Sequence, residues 1–347
     1  MSSDVNTMPT TGHGRPLPVD AAWLALGAEQ AIDPGVPIVD AHHHLWQRPG
    51  WRYLLDEITA DLDSGHNVVA TVFIQCRSMY RTEGPEALRA VGETEFAAGC
   101  ARASGGRVCA GIVSHADLLM GEAVQEVLDA HAEAGAGRLR GVRHSTAWDA
   151  DPEVVNPELG TRPGVMQDAR FLAGFARLAP LGLSYDAWVY HPQMGEVAAL
   201  ARRFPDTRIV LNHIGGPIGI GHYAGERERT FADWRRNIAA LAACDNVVVK
   251  FGGLGMRLGG AGYHLRPAPP SSAALAQDWR PWFDATLDAF GAQRCMFESN
   301  FPVDKASCGY ATLWNAFKRL AGQASAAERA ALFAGTAIDT YRLELPL

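Results

Sequence analysis

Three consecutive histidines close an apolar run, Pro37-Ile38-Val39-Asp40-Ala41-His42-His43-His44-Leu45-Trp46. On an extended strand, residues i and i+2 point to the same side. His42 and His44 therefore aim two imidazoles at one point, with Asp40 just below. A His-x-His pair at a strand's C-terminal end can seat a metal ion, or hold a substrate oxyanion if no metal is present. The blander account is a polar strand end with surplus histidines. A purification tag does not fit, because the run is internal and inside an apolar element.

Polar side chains also stand at the ends of other apolar runs: Gln75-Cys76-Arg77, Ser114-His115, Arg143-His144-Ser145, Asp186 through His191, Asn212-His213, Lys250, and Glu298-Ser299-Asn300. Imidazole is a common ligand for zinc and manganese, so His42, His44, His191 and His213 form a candidate ligand set. Taken singly, each is also what a hydrogen-bonded strand end looks like. Arginine suits planar carboxylate recognition. Arg77 and Arg143 are thus candidate substrate clamps, and a structural salt bridge explains either equally well.

The elements that must position these groups read as eight β-rich runs: Ile38–Ala41, Val68–Gln75, Val108–Val113, Leu139–Arg143, Leu183–Tyr190, Arg208–Leu211, Val247–Phe251 and Arg294–Phe297. Most are near-continuously apolar, as in strands buried on both faces of a parallel sheet. Helical patterns lie between most of them, often closed by glycine or proline. Strand–helix alternation on this scale predicts an α/β fold, a (β/α)8 TIM barrel. The rival is an open doubly wound sheet, but no G-x-G-x-x-G follows the first strand. Residues 1–35 read as an N-terminal extension and 36–347 as one barrel domain. Loops near 149–164 and 254–277 look inserted, and in a barrel both would reach the catalytic face. The second offers Tyr263, His264 and Arg266 for substrate binding.

The 347 residues are 48% hydrophobic and carry a net charge of -7, which gives ample core and argues against nucleic-acid or anionic-membrane partners. A small anionic substrate stays admissible, because a few local arginines outweigh the global field. No run of about twenty apolar residues suggests a membrane span, and residues 1–35 hold no secretory hydrophobic core. None of the six cysteines forms a C-x-x-C pair. Buried reduced thiols in a cytoplasmic protein are the simplest account.

In this order, the residues resemble the amidohydrolase superfamily, and within it the lactonase-like branch of 2-pyrone-4,6-dicarboxylate and sugar-lactone hydrolases. The likeness spans nearly the whole chain. Its most specific parts are Asp40-Ala41-His42-His43-His44-Leu45-Trp46, Asn212-His213-Ile214-Gly215-Gly216-Pro217, Val249-Lys250-Phe251-Gly252-Gly253-Leu254 and Glu298-Ser299-Asn300-Phe301-Pro302-Val303. The resemblance implies a barrel of the metal-dependent-hydrolase type. It places the strand-one pair at His42 and His44, the strand-six histidine at His213, and a strand-five histidine near His191. One departure matters. The family's strand-eight pattern is Gly-Ser-Asp-Trp-Pro, whose aspartate binds metal and serves as general base. Here that position is Asn300, which cannot accept a proton at neutral pH. Glu298, two residues earlier, would return a carboxylate to the same face about one layer deeper, or would pair with a barrel cation such as Lys250.

The expected activity is hydrolysis of a small, carboxylated or cyclic ester, a lactone. His42, His44 and His213 would polarise the carbonyl, with or without one divalent ion. Glu298, or an imidazole such as His191, would take the proton of the attacking water, with Asn300 beside it. Two alternatives remain: a metal-dependent decarboxylase of an aromatic or unsaturated acid, and a ligand-binding barrel without catalysis. Pairing of copies through outer helices, as in many such barrels, is a further expectation.

Overall fold

Valine, isoleucine and phenylalanine fill the predicted runs, and each run folds as a short strand. The computed structural model describes residues 16–156 and 159–345. The strands are β1 (Pro37–His43), β2 (Asn67–Ile74), β3 (Gly111–Ser114), β4 (Leu139–Val142), β5 (Ser184–Ala187), β6 (Ile209–Leu211), β7 (Val247–Phe251) and β8 (Cys295–Phe297). They pair in parallel in chain order. The ring is drawn together where β1 meets the segment after β8: His44 N donates to Phe301 O, and Asn300 N to His42 O, each at 2.8 Å. With helices between the strands, this is the (β/α)8 barrel that the alternation predicts.

Three local differences have physical causes. A hairpin of Trp46–Arg48 with Trp51–Tyr53 and a helix at Leu55–Leu62 fill the connection from β1 to β2. Three-residue strands are too short to show a period. The helix Ser272–Phe290 begins inside the segment read as loop. Its start is capped by Ser271 Oγ, which accepts from Ala274 N at 3.3 Å, and by the distant Glu29, whose Oε1 accepts from Ser272 N at 2.7 Å. Ser271 is a local cap signal of the ordinary kind; the contact with Glu29, remote in the chain, leaves none. The third difference is in β1 itself. Asp40 lies opposite Thr71 and His43 opposite Phe73, so β1 spends one more residue than β2 over that stretch. This bulge breaks strict alternation. Val39 and Ala41 face the barrel interior together with Val210, Val248 and Met296. His42 and His44 then also face inward, while Asp40 turns away to accept from Tyr310 OH at 3.0 Å and Ser299 N at 2.8 Å. The expected placement of Asp40 beneath the two histidines is therefore not what forms.

Outside the barrel, Phe251, Phe297, Phe317 and Phe333 pack between strands and helices, with the Phe297 and Phe317 rings stacked at 4.6 Å. Inside, the apolar layer supports a polar one. Asp186, Lys250 and Glu298 share it, each with no solvent exposure. Tyr341 of the last helix reaches it, and its hydroxyl donates to Asp186 at 2.8 Å. All six cysteines are buried free thiols. Among the described residues no helix is long and apolar enough to cross a membrane.

Burial leaves a pH signature. Among the described residues, ten imidazoles sit below their ordinary pKa, chiefly through desolvation; His43 and His115 fall to about 3, and His66, His131 and His191 to about 4. Six carboxyls are raised, also by burial, among them Asp40 to about 6 and Glu93 to about 7. A lowered imidazole stabilises the fold above the ordinary histidine range and loses that contribution as pH falls through it. A raised carboxyl acts in the opposite sense. The imidazoles outnumber the carboxyls, so the urea midpoint is expected to fall as pH drops from about 6.5 to 5. A midpoint that rises over that window would contradict this balance.

Candidate active site at the barrel mouth

The polar layer is organised by one carboxylate. Glu298, just past β8, is fully buried. Its Oε1 accepts from the ring of His213 (Nδ1, 2.7 Å) and from the backbone N–H of the same residue (3.0 Å). Its Oε2 stands 2.9 Å from His42 Nδ1, out of line for a hydrogen bond and without another partner. Desolvation pushes Glu298 up to about 8, and the Lys250 charge pulls the other way. Lys250 does not take its salt bridge from Glu298. Its ammonium pairs with Asp186 Oδ2 at 2.7 Å and lies 3.3 Å from His42 Nδ1. Asn212 Nδ2 also donates to Asp186 Oδ2, at 3.0 Å.

The strand-one pair behaves as its spacing predicts. His42 Nε2 and His44 Nε2 are 3.2 Å apart. His44 Nδ1 lies 2.8 Å from Ile74 O. A carbonyl only accepts, so Nδ1 carries the hydrogen and Nε2 the lone pair. His43 points to the other face, where its Nε2 meets Thr71 Oγ1 at 2.9 Å. His213 follows β6 at φ 54°, a left-handed turn completed by Gly215 and Gly216. Strain of this kind persists where surrounding contacts over-determine it, and here the Glu298 carboxylate supplies two of them. Gly252 and Gly253 make room for the arrangement: a Cβ on Gly252 would lie 2.4 Å from Glu298 Cγ, and one on Gly253 2.6 Å from His213 Cβ.

Above this layer opens a cavity of about 580 Å³ lined by His44, Gln75, Arg77, Arg143, Ser145, Trp188, His213, His264 and Asn300, among others. Arg143, at the end of β4, is 7% exposed. It donates to Gln75 O and places Nη1 3.4 Å from His42 Nε2. Among the described residues no carboxylate forms a salt bridge with it. Gln75 Oε1 and Ser145 Oγ are buried without hydrogen-bond partners. The cavity floor thus offers a guanidinium with no carboxylate in direct contact and unsatisfied polar atoms, a setting that favours an anionic, oxygen-rich guest.

Of the residues singled out in the sequence, His44, Arg77, Arg143, His213, His264 and Asn300 line the cavity, and His42 and Glu298 lie directly beneath them. His191 does not join them. It lines a separate cavity of about 310 Å³ with His222 and Asp233, and its Nδ1 accepts from Ile218 N at 3.3 Å. The chain leaves β5 at Ala187, and the turn His191–Gln193 carries the imidazole away from the barrel axis. Tyr263 instead buries its hydroxyl against Asp278 at 2.7 Å, and Arg266 stacks over the Tyr263 ring at 4.8 Å. Asn300 adopts φ 54°, and its Nδ2 donates to Asp304 Oδ1 at 2.8 Å. Sequence reasoning gave Gln75, Ser145 and Trp188 no role. Their positions at or just past strand ends were the available signal.

Two neutral imidazoles and a carboxylate with an unsatisfied oxygen are a donor set that fits a divalent cation. The candidate ligand atoms of His42, His213 and Glu298 lie within 4.8 Å of one another. Asp186 offsets the neighbouring Lys250 charge.

Two substitutions probe this packing. Gly253→Ala is expected to cost ~1–3 kcal/mol of stability and to displace His213. Unchanged denaturation and turnover would refute the close packing. Asn300→Asp sets a second buried carboxylate against Asp304 and is expected to destabilise by about 3 kcal/mol. Adding Asp304→Asn should recover most of that loss. If the double variant is no better than the single one, the Asn300–Asp304 pair is not the cause.

The family model described as Amidohydrolase matches residues 39–343. The chain is 32% identical over 334 residues to the uncharacterized protein y4mH of Sinorhizobium fredii, covering 89% of this chain and 99% of that one. It is 33% identical over 242 residues to the L-fucono-1,5-lactonase of Burkholderia multivorans, covering 68% and 73%. A crystal structure of an amidohydrolase from Burkholderia multivorans with bound zinc superposes with a TM-score of 0.70 at 28% identity, covering 88% of this chain and 99% of that one. The histidines at the ends of β1 and β6, the cavity above them and the match along nearly the whole barrel together make this chain a member of the amidohydrolase family.

Proposed function

We propose that this protein hydrolyses a small cyclic ester, a lactone, that carries a carboxylate or several ring oxygens. The observation that carries the reading is the meeting of His44, His213 and Arg143 at the floor of one cavity with His42 directly beneath them. The similarity to an L-fucono-1,5-lactonase supports the choice of ester over amide.

The residues divide the work by position. Arg143 faces the cavity with no carboxylate in direct contact, so it suits the substrate carboxylate or the oxyanion that develops on the carbonyl. Gln75 Oε1 and Ser145 Oγ are free to bond ring hydroxyls. His213 holds its Nδ1 against Glu298, which leaves the Nε2 lone pair as its free polar atom in the cavity. That lone pair takes a proton from the attacking water. Glu298, which has no exposed atom, orients His213, and once ionised it stabilises the imidazolium, in the manner of a carboxylate behind a histidine base. Glu298 is thus a positioning residue, and the direct role as base passes to His213. His42, His213 and Glu298 are also the residues that would hold a divalent ion; His213 would then serve as a ligand instead of as the base, and the ion would supply Lewis-acid polarisation of the carbonyl.

The test is a panel of aldonolactones and carboxylated lactones. His213→Ala is expected to lower kcat by about 10²–10⁴-fold, with the barrel still folded but its melting transition lowered, because buried Glu298 loses its ring partner. Arg143→Met should raise KM chiefly for carboxylated members. Full turnover by a well-folded His213→Ala variant would remove His213 as the base. Carbon dioxide release from an aromatic acid, without ring opening of any lactone, would move the assignment to a decarboxylase. Zinc titration by calorimetry gives a separate readout, and Glu298→Gln should weaken it.

A further inference from the structure

We propose that residues 16–18, at the start of the described chain, form an apolar wall of the substrate cavity and select substrates with a nonpolar group remote from the reacting carbonyl. This rests on the lactone-hydrolase reading for its choice of probes. Pro16, Leu17 and Pro18 line the same cavity as His44, Arg143 and His213. None of the three can donate or accept through its side chain, so their contribution to a guest is apolar contact.

The arm is held in place by contacts outside the cavity. Asp20 caps the short helix Ala21–Ala25. Trp23 Nε1 donates to Arg266 O at 2.8 Å, which fastens that helix to the loop after β7. Gly27 is pressed on Pro269, where a Cβ would come within 2.7 Å of the proline Cβ. Downstream, Glu29 accepts from Ser272 N at 2.7 Å and from Asn315 Nδ2 at 3.0 Å, and Lys318 Nζ donates to Ile32 O and Asp33 O at 2.9 and 2.7 Å. Several part-buried hydrogen bonds fix the segment from Trp23 to Asp33. The three residues upstream lead from this anchored segment to the cavity.

Cavity size points the same way. A cavity of about 150 Å³ is enough to hold benzene. The cavity here is 580 Å³. A bare monocyclic lactone seated on Arg143 would leave most of it unfilled, and the arm bounds part of the remainder.

The test compares 5-hydroxypentanoate with 5-hydroxydecanoate, the open forms of an untailed and a pentyl-tailed lactone, by calorimetric titration of the full chain. The tail is expected to tighten binding by about tenfold or more, as burial of a hydrocarbon of that size implies. In Leu17→Asp, and separately in a chain that begins at residue 19, the advantage should drop below about threefold. An advantage that is equal in all three proteins, or absent in the full chain, overturns the proposal. Turnover of δ-valerolactone and δ-decalactone is followed alongside. If no lactone opens but the arm-dependent tail advantage persists, the hydrolase reading fails and the arm's role stands.

Discussion

Glu298 is shared. One buried carboxylate holds the ring and the backbone of His213 through Oε1 and confronts His42 through Oε2, so the imidazoles from β1 and β6 have a common reference point at β8. In a low-dielectric interior such a group is costly unless its neighbours compensate it. The surroundings supply that compensation in layers. Lys250 lies near enough to draw its pKa downward, Asp186 neutralises Lys250, and Asn212 and Tyr341 complete the bonding of Asp186. Removing any member leaves a buried charge or an orphaned donor, which ties the barrel's interior polarity to a single connected network.

The network explains features that look unrelated along the chain. The glycine pair Gly252-Gly253 is required because Glu298 and His213 occupy the space that two Cβ atoms would need. Asn300 turns its amide to Asp304, and a buried carboxylate, Glu298, stands two residues earlier, one layer down. The consequence is a two-storey site. The lower storey, His42, Glu298, Lys250 and Asp186, is dry and positions. The upper storey, His44, Arg143, His213, Gln75 and Ser145, meets the cavity and makes contact with what enters.

The strand set was legible because buried parallel strands are written as near-continuous apolar runs, and all eight appear where those runs lie. The His-x-His geometry was equally legible, since it depends only on the two-residue period beyond the bulge. Asp40 was misplaced because a bulge is an event between strands: it arises from the register of β1 on β2, which no local pattern records. His191 was drawn into the ligand set by its distance past β5, but the chain turns outward at Ala187, and a turn decides direction where a strand decides only alternation. Tyr263 and Arg266 were drawn in by composition, and the structure uses both to fasten the loop to its own neighbours.

By itself, then, the amino-acid order determined the barrel, the inward pair at the end of β1, and the replacement of an aspartate by Asn300 with Glu298 as the spare carboxylate. The barrel and the inward pair are consequences of side-chain type and local period; the aspartate position that Asn300 fills is known through the likeness to the amidohydrolase family. Tertiary structure alone decided that Glu298 serves two histidines rather than Lys250, that Lys250 belongs to Asp186, and that residues 16–18 reach the mouth of a cavity formed mainly by elements far downstream. Those outcomes are distances between groups remote in the chain, set by how strands stagger and where caps and anchors fall.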